Sequence, residues 1–269
     1  MSQRVGIVGL GNIGRRVARH IDGGRIPGAR LSCITSRDME KVAAFCATLA
    51  TKPQATSLAE VCAGSDIVIE CATAAAFPDI ARAVLKAGKS LIAVSAAGLP
   101  RCPDFHELAA ASPGRVRIAS GAMPGLDSIR SAAEGRIAAC RLTSTVLPSS
   151  FSGENILKEH GIDVGTLREK TRVFKGTAKE AAASFPRHFN VAISLNLAGV
   201  PLDLIQVELW VDPSLPGATV HIEVEAEDVT LTMMSKNIPS PENPRTSRII
   251  APSVLAALRG MVGAVQAGS

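Results

Sequence analysis

The sequence predicts a two-domain α/β protein, in which a doubly wound parallel sheet precedes a second α+β domain with a mixed or antiparallel sheet. Three observations support this class. A short apolar run, Val5 to Val8, enters a glycine-rich turn and then a helix. Apolar strands and helical segments alternate from there to about Gly125, as in parallel βαβ units. Beyond Gly125 the strands alternate apolar and polar residues, as antiparallel strands do when one face is exposed.

The turn after the first strand has the sequence Gly9-Leu-Gly11-Asn-Ile-Gly14. Gly9 permits the tight turn, Gly11 lets a pyrophosphate approach the backbone, and Gly14 lets the next helix pack closely on the sheet. The N–H groups and positive dipole end of that helix face the phosphates. The motif predicts a Rossmann dinucleotide-binding domain over residues 1–124, completed by a C-terminal helix within residues 245–269. Residues 125–244 are the predicted substrate and oligomerisation domain.

The end of the second predicted strand, Ala29–Thr35, bears on the choice between NAD and NADP. An NAD site usually places an acid here to bind the ribose hydroxyls. Ser36 and Arg37 instead offer hydroxyl and guanidinium donors suited to a 2′-phosphate. Asp38 is either the ribose ligand or the N-cap of the helix Met39–Leu49. We favour the cap, so the sequence favours NADP over NAD.

Two further strands, Ser65–Cys71 and Lys89–Val94, each end in small residues. Ligands bind outside the carboxyl ends of such strands, where small side chains let a cofactor lie against the backbone. A plain loop over residues 72–76 explains the first of these stretches equally well. The candidate contacts at the two strand ends are Cys71, Ala72, Thr73, Ser95 and Ala96.

The remaining elements are predicted from apolar spacing. Pro252 interrupts the C-terminal helix, which therefore begins near Ala251 or kinks there. The predicted helices are Ser57–Ala63, Phe77–Ala87, Leu99–Ala111 (around Pro100 and Pro103), Leu126–Ala139, Asn190–Leu197 and Thr246–Leu258, and the predicted strands are Arg115–Ala119, Arg141–Leu147, Asp203–Val211, Ala218–Ala226 and Val229–Met234.

Composition argues against several functional classes. The 269 residues are 46% hydrophobic and 20% charged, as in an ordinary globular protein. The net charge of +5 is spread along the chain, which argues against nucleic-acid binding. The apolar stretch Ile249–Gly268 carries Pro252 and Arg259, so a buried helix is favoured over a membrane span.

No signal peptide is evident, and the six cysteines form no CxxC pair. All but Cys102 have apolar or small neighbours and are predicted core residues, so we expect a cytoplasmic protein without a metal site.

His221 is the leading candidate for a catalytic group. Its strand places Val220, Ile222 and Val224 on one face and His221 with two glutamates on the other. A dehydrogenase needs a group that accepts a proton near neutral pH, and histidine does so. On pattern alone, however, an exposed strand histidine is more often an ordinary surface residue.

The order of the motifs resembles that of the L-aspartate dehydrogenase family. The resemblance implies oxidative deamination of L-aspartate, or of a close dicarboxylic relative, to iminosuccinate and then to oxaloacetate and ammonia, or the reverse. It also implies that His221 is the general base. The matching pieces run nearly from end to end: Gly9–Gly14, Ser95–Gly98, Ser120–Ala122, Gly125–Asp127, Phe174–Ala181, Pro186, Asn190–Ala192, Val220–His221 and Asn243–Ser247.

Together, the residues and the resemblance define a set of predicted contacts. The cofactor contacts are Gly9, Gly11, Asn12, Ile13, Gly14, Ser36, Arg37, Cys71, Ala72, Thr73, Ser95, Ala96, Ala122 and Asn243, and the substrate contacts are Ser120, Asn190 and Thr246. A homodimer is expected because the open face and edges of the second sheet need cover.

One departure from the family bears on the substrate. Members carry a basic Arg-Lys-Pro stretch after the strand that opens the second domain, where this chain has Thr143-Ser-Thr-Val-Leu-Pro148. Lys175, Arg187 or Arg245 are the cations that could replace it for a substrate carboxylate. Two alternatives therefore stay open: a reductase of another imine or carbonyl compound, and a non-catalytic NAD(P)-binding sensor.

Overall fold

The computed structural model describes residues 2–151, 156–159, 161–185 and 189–266. It divides the chain into two compact units. The first is built from the residues up to Gly121 and from residues that begin at Ile250, and the second from Ala122–Ile249. The C-terminal segment thus returns to the unit in which the chain started.

The first unit contains a six-stranded parallel sheet. Its strands are β1 (Gln3–Val8), β2 (Ala29–Thr35), β3 (Gln54–Ala55), β4 (Ile67–Glu70), β5 (Ser90–Ala93) and β6 (Val116–Ile118). They lie in the order β3-β2-β1-β4-β5-β6. This is the order of a doubly wound dinucleotide-binding sheet, whose chain reverses direction across the sheet between β1 and β4. The predicted fold class of the first domain is confirmed.

The helices of the first unit pack on this sheet through buried aliphatic side chains, among them Val17, Val84 and Leu258. They are α1 (Asn12–Asp22), α2 (Met39–Ala47), α3 (Leu58–Gly64), α4 (Phe77–Lys86), α5 (Phe105–Ala111) and the C-terminal helix Ile250–Val262. The core of the unit is formed by strand residues such as Ile7 and Ile69, neither of which is exposed to solvent.

Two helix predictions in this unit were wrong at their starts. The predicted helix Leu99–Ala111 is a 3₁₀ turn, Ala96–Arg101, followed by α5 from Phe105. Pro100 and Pro103 lack the N–H groups that a continuous helix needs here. The predicted helix Thr246–Leu258 begins only at Ile250, which confirms the start near Ala251 that Pro252 indicated and puts Pro252 in the first turn, where a missing N–H costs nothing.

The second unit contains a five-stranded mixed sheet in the order β11-β10-β7-β9-β8. β7 and β9 are parallel, and the other neighbours are antiparallel. Its strands are β7 (Ile137–Val146), β8 (Thr171–Thr177), β9 (Ile205–Val211), β10 (Thr219–Ala226) and β11 (Thr230–Lys236), and β12 (Pro239–Ser240) pairs with β13 (Asn243–Ser247) separately. The helices are α6 (Leu126–Ala132), α7 (Ile156–Glu159), α8 (Ala178–Ser184) and α9 (Asn190–Leu197). The predicted mixed sheet is confirmed.

The predicted helix Leu126–Ala139 is wrong beyond Ala132. The chain leaves α6 there and enters β7 at Ile137, which is in register with Ala226 of β10. The helical periodicity of the segment is overridden by this pairing, because tertiary contacts outweigh local propensity. Strand β8 was not predicted at all.

Within the described residues, no helix is long and apolar enough to cross a membrane. The cysteines are free thiols. Cys102, which we had set apart from the predicted core residues, is buried, whereas Cys71 is only half-buried.

Candidate functional site

The glycine turn of the first unit has the geometry that a dinucleotide requires. Gly9 has a φ of +103°, and a Cβ added there would lie 2.5 Å from the carbonyl oxygen of Cys71. A Cβ on Gly14 would overlap the carbonyl oxygen of Gly9. Both positions therefore exclude any side chain, one by backbone conformation and space and the other by close packing of α1 on the turn.

Gly11 differs from its two neighbours in the motif, because a Cβ there would meet nothing within 4 Å. Gly11 is the N-cap of α1 and has no side chain to cap the first-turn N–H groups. The first turn of α1 also contains no acidic residue. Open space at Gly11, at a positive dipole end without a side-chain cap or an acid, is what a pyrophosphate needs, so these residues fit a dinucleotide.

The end of β2 carries an acid, Asp38, that is bonded to a neighbouring residue, and an exposed base, Arg37. The Asp38 carboxylate accepts a hydrogen bond from the backbone N–H of Lys41 at 3.1 Å and pairs with the Lys41 ammonium at 2.6 Å, which lowers the pKa of Asp38. The predicted N-cap is thus confirmed. Arg37 is exposed, and no hydrogen bond or ion pair is seen between its guanidinium and the described residues.

The carboxyl ends of β4 and β5 are joined by a residue that we did not predict. Glu70 is not exposed to solvent, and its carboxylate accepts backbone N–H bonds from Ala72, Val94 and Ser95 at 2.7, 3.1 and 3.0 Å. The Ser95 hydroxyl donates to the carbonyl of Ala72 at 3.1 Å. Burial raises the pKa of Glu70, against the N–H bonds that lower it. An acid inside the apolar strand Ile67–Glu70 was the signal in the sequence.

Several predicted cofactor residues are thus brought together at one edge of the parallel sheet. The Gly9 turn lies against Cys71 and Ala72, and the Gly9 N–H donates to the carbonyl of Thr35 at the end of β2. Ser95 contacts Ala72 from the next strand. The motif residues of β1, β2, β4 and β5 therefore meet where doubly wound sheets bind ligands.

In the second unit, His221 lies on β10 opposite Thr143 of β7 and Met234 of β11. The same cross-strand row continues through Glu208 of β9 to Lys175 of β8. We call the sheet surface that carries these five residues the polar face. His221 is half-buried on it, whereas Val220, Ile222 and Val224 are buried on the other side. The predicted alternation of this strand is confirmed.

A charged cluster around Glu208 occupies the β9 and β8 side of the polar face. Glu208 accepts a hydrogen bond from the Trp210 indole at 3.0 Å and pairs with Lys175 at 3.4 Å and Arg172 at 3.6 Å. Partial burial acts to raise the pKa of Glu208, but these partners lower it below its usual value. Lys175, one of the cations considered for a substrate carboxylate, thus already has an anionic partner.

The other predicted residues lie at element ends. Ser120 is a half-buried residue near the end of the first unit, and the next N–H, of Gly121, donates to the Ser253 hydroxyl at 3.1 Å. In the second unit, the Ala122 carbonyl accepts from the Ser235 hydroxyl at 2.9 Å. Asn190 begins α9, and Asn243 and Thr246 lie in β13. Arg187 and the side chain of Arg245 lie outside what the structure describes.

The donor set is suited to cofactor and proton chemistry. Among the described residues, no group of three His, Cys, Asp or Glu side chains could hold a metal ion. The first unit offers backbone N–H groups and a free guanidinium for phosphates, and the second offers an imidazole that can accept a proton.

Two family models cover most of the chain. The model described as aspartate dehydrogenase, C-terminal, matches residues 127–261, and the model described as homoserine dehydrogenase, NAD binding domain, matches residues 9–118. The first match includes His221, and the second includes the glycine turn and Glu70.

Relatives match over the full length. The chain is 40% identical to L-aspartate dehydrogenase 3 of Bordetella bronchiseptica over 98% of this chain and 97% of that protein. It is 39% identical to the L-aspartate dehydrogenase of Bradyrhizobium diazoefficiens over 95% and 90%. The crystal structure of the Thermotoga maritima aspartate dehydrogenase has the same fold, with a TM-score of 0.68 at 21% identity and full coverage of both chains. The chain therefore belongs to the L-aspartate dehydrogenase family of nicotinamide-dependent oxidoreductases.

Proposed function

We propose that the protein catalyses the NAD(P)-dependent oxidative deamination of L-aspartate to oxaloacetate and ammonia through iminosuccinate, or the reverse reductive amination. The observation that carries this proposal is the full-length similarity to relatives named L-aspartate dehydrogenase. The open glycine turn of the first unit and the half-buried histidine of the second supply the two groups that such a reaction requires.

The first unit binds and orients the cofactor in this proposal. The N–H groups at the start of α1 and the bare backbone of Gly11 hold the pyrophosphate, with Asn12 and Ile13 in the same turn. Cys71, Ala72, Thr73, Ser95 and Ala96 contact the nicotinamide half. Ala122 and Asn243, which belong to the second unit, are the remaining predicted cofactor contacts. The bound nicotinamide supplies the hydride acceptor.

Ser36 and Arg37 make NADP the preferred cofactor. Asp38 is engaged by Lys41 as a helix cap, so it is occupied in a role other than binding ribose hydroxyls. The exposed Arg37 guanidinium offers the charge-assisted hydrogen bonds that a 2′-phosphate accepts.

His221 acts as the general base. When the hydride leaves the substrate Cα with two electrons, His221 takes a proton from the substrate amine, and the Cα–N bond becomes an imine. Attack of water on that imine, with release of ammonia, gives oxaloacetate, and His221 can activate this water as well. Ser120, Asn190 and Thr246 contact the substrate.

The departure at Thr143–Pro148 favours one alternative substrate class. Thr143 lies directly beside His221 in the sheet, so a neutral hydroxyl lies next to the proposed base. Lys175 is paired with Glu208, which leaves Arg187 and Arg245 as cations for a substrate carboxylate. This observation favours a reductase of another imine or carbonyl compound as the second candidate.

Consumption of reduced cofactor by the purified protein distinguishes these functions. Oxaloacetate with ammonia is supplied, and NADPH and NADH are compared side by side. The proposal predicts turnover that requires ammonia and is faster with NADPH. Turnover without ammonia would identify a carbonyl reductase, and binding without turnover would leave a different substrate or a sensor.

We also propose that the protein is a cytoplasmic homodimer. The five-stranded sheet ends at β11 and β8, and its polar face exposes 58% of Met234. A second copy packed along the β11 edge would cover that edge and Met234, and symmetric pairs are the commonest assemblies. Light scattering coupled to size exclusion tests the dimer, and Met234→Glu should weaken it.

A further inference from the structure

Glu70 is a buried carboxylate that the proposed reaction does not use. It is the last residue of β4 and is completely shielded from solvent. Burying a carboxylate without an opposite charge is costly, and such groups are retained where hydrogen bonds compensate for the lost water. Its position at the carboxyl end of a parallel strand is the place where this fold binds ligands.

The contacts of Glu70 tie two separate segments together. One oxygen accepts the N–H of Ala72, and the other accepts the N–H groups of Val94 and Ser95. Ala72 follows β4, whereas Val94 and Ser95 follow β5, so the carboxylate spans both strand ends. The Ser95 hydroxyl, which donates to the Ala72 carbonyl, closes the link from the other side.

These two segments belong to one half of the dinucleotide site. The glycine turn after β1 takes the pyrophosphate, and the end of β2 takes the adenosine ribose. The second half of a doubly wound sheet, here β4 to β6, is left for the nicotinamide nucleotide. Glu70 thus orders backbone in the half of the sheet that is left for the nicotinamide nucleotide, and within the described part of the chain no hydrogen bond joins its carboxylate to Ser36 or Arg37.

We propose that Glu70 is a positioning residue for the nicotinamide half of the cofactor: by holding the backbone at Ala72, Val94 and Ser95, it shapes the surface on which that half binds. The inference rests on the nicotinamide cofactor of the proposed function. Glu70 acts through these backbone segments, so it is not itself a catalytic residue.

Glu70→Gln is the informative substitution because it changes hydrogen bonding at nearly constant shape. If the amide NH₂ replaces the first oxygen, it faces the Ala72 N–H, and if it replaces the second, it faces the N–H groups of Val94 and Ser95. Either rotamer sets donor against donor and leaves at least one of these N–H groups without its carboxylate acceptor. We therefore expect the segments to shift.

Asp66→Asn is the matched control at the opposite end of the same strand. Asp66 precedes β4, and its carboxylate accepts the backbone N–H of Arg4 at 2.8 Å and the Arg4 guanidinium at 2.8 and 3.3 Å. Asp66→Asn therefore makes the same carboxylate-to-amide change in a side chain that, like Glu70, accepts three hydrogen bonds. The amino-terminal edge of the sheet is not where the fold binds ligands.

Calorimetry then measures binding of the whole cofactor and of its adenosine side. The ligand pair is NADPH and its adenosine-side fragment, adenosine 2′,5′-bisphosphate. If the wild type prefers NADH, the pair is NADH and ADP. We expect Glu70→Gln to weaken binding of the whole cofactor about tenfold or more, which is about 1.4 kcal/mol, and to leave the fragment within about twofold. Asp66→Asn should lower the melting temperature without changing either affinity.

Two results would overturn the inference. Equal losses of whole-cofactor and fragment binding in Glu70→Gln would indicate a general structural role, and unchanged binding of both would indicate no role in the site. A wild type that binds neither dinucleotide would instead count against the proposed function, so the two failures are distinguishable.

Discussion

The two units build their functional surfaces from different parts of the chain. In the first, the candidate cofactor site is made largely of backbone: bare glycines, a helix start without a side-chain cap, and the small residues after β4 and β5. In the second, the polar face presents side chains, with His221 in a row that includes Thr143 and Glu208. The first surface depends on the absence of side chains, and the second depends on the side chains that it presents.

This difference determines which substitutions are damaging. At the glycine turn, an added side chain should destabilise the fold, because backbone atoms already fill the space and Gly9 has a positive φ. On the polar face, removed atoms should do harm because the proposed general base is a single imidazole. The predictions below, from the largest expected effect to the smallest, test this contrast.

Gly9→Val should have the largest effect. A β-branched residue at a φ of +103°, with its Cβ 2.5 Å from the Cys71 carbonyl oxygen, should destabilise the protein by more than about 4 kcal/mol and abolish cofactor binding. Gly11→Ala is the control, since its Cβ meets nothing within 4 Å. It should cost no more than about 1 kcal/mol but still weaken NADPH binding. Undiminished binding in Gly11→Ala would argue against a pyrophosphate on this turn.

His221→Asn should remove the proposed general base alone. We expect kcat to fall about 10²- to 10⁴-fold, as for loss of a general base, while calorimetry shows unchanged affinity for the dinucleotide. Glu223→Gln, two residues along the same strand, is the control and should keep wild-type turnover. Parallel loss of cofactor affinity in His221→Asn would mean that the histidine is structural.

Arg37→Gln should change cofactor choice without loss of turnover with NADH. Losing a charge-assisted contact to a 2′-phosphate should lower kcat/KM for NADPH about 10- to 100-fold. Asp38→Asn tests the competing role of Asp38, because a helix cap leaves the NADH value intact whereas a ribose ligand does not. Equal NADPH and NADH losses in Arg37→Gln would contradict the assignment.

The smallest effect concerns acid stability of the first unit. The Arg82 guanidinium, 2.6 and 2.8 Å from the carboxylate, holds the pKa of Asp104 well below its usual range. Because the folded pKa is below the unfolded one, the pair stabilises the fold above about pH 5 and loses this contribution as the pH falls.

The melting temperature of Asp104→Asn should therefore fall less than that of the wild type as the pH is lowered from about pH 5 to pH 2. Circular dichroism should show the change, whereas emission of Trp210, the only tryptophan and a residue of the second unit, should follow the wild-type acid transition. An altered Trp210 transition would show that the two units unfold together.

Local signals allowed much of the first unit to be predicted. The glycine turn, the alternation of strands and helices, and the Asp38 cap each involve residues within a few positions of one another, so short-range sterics and hydrogen bonding specify them. The alternation around His221 is equally local. The roles of Ser36, Arg37 and the other predicted contacts remain predictions.

By itself, the sequence determined the doubly wound half, the side of β10 on which His221 lies, and family membership through its spaced motifs. Only the tertiary structure decided that α6 stops at Ala132, that residues 171–177 form β8, and that Glu70 reaches Val94 and Ser95, 24 and 25 residues away. The physical reason is range: a turn or cap depends on neighbours in the chain, whereas sheet pairing and a buried carboxylate depend on partners that only folding brings into contact.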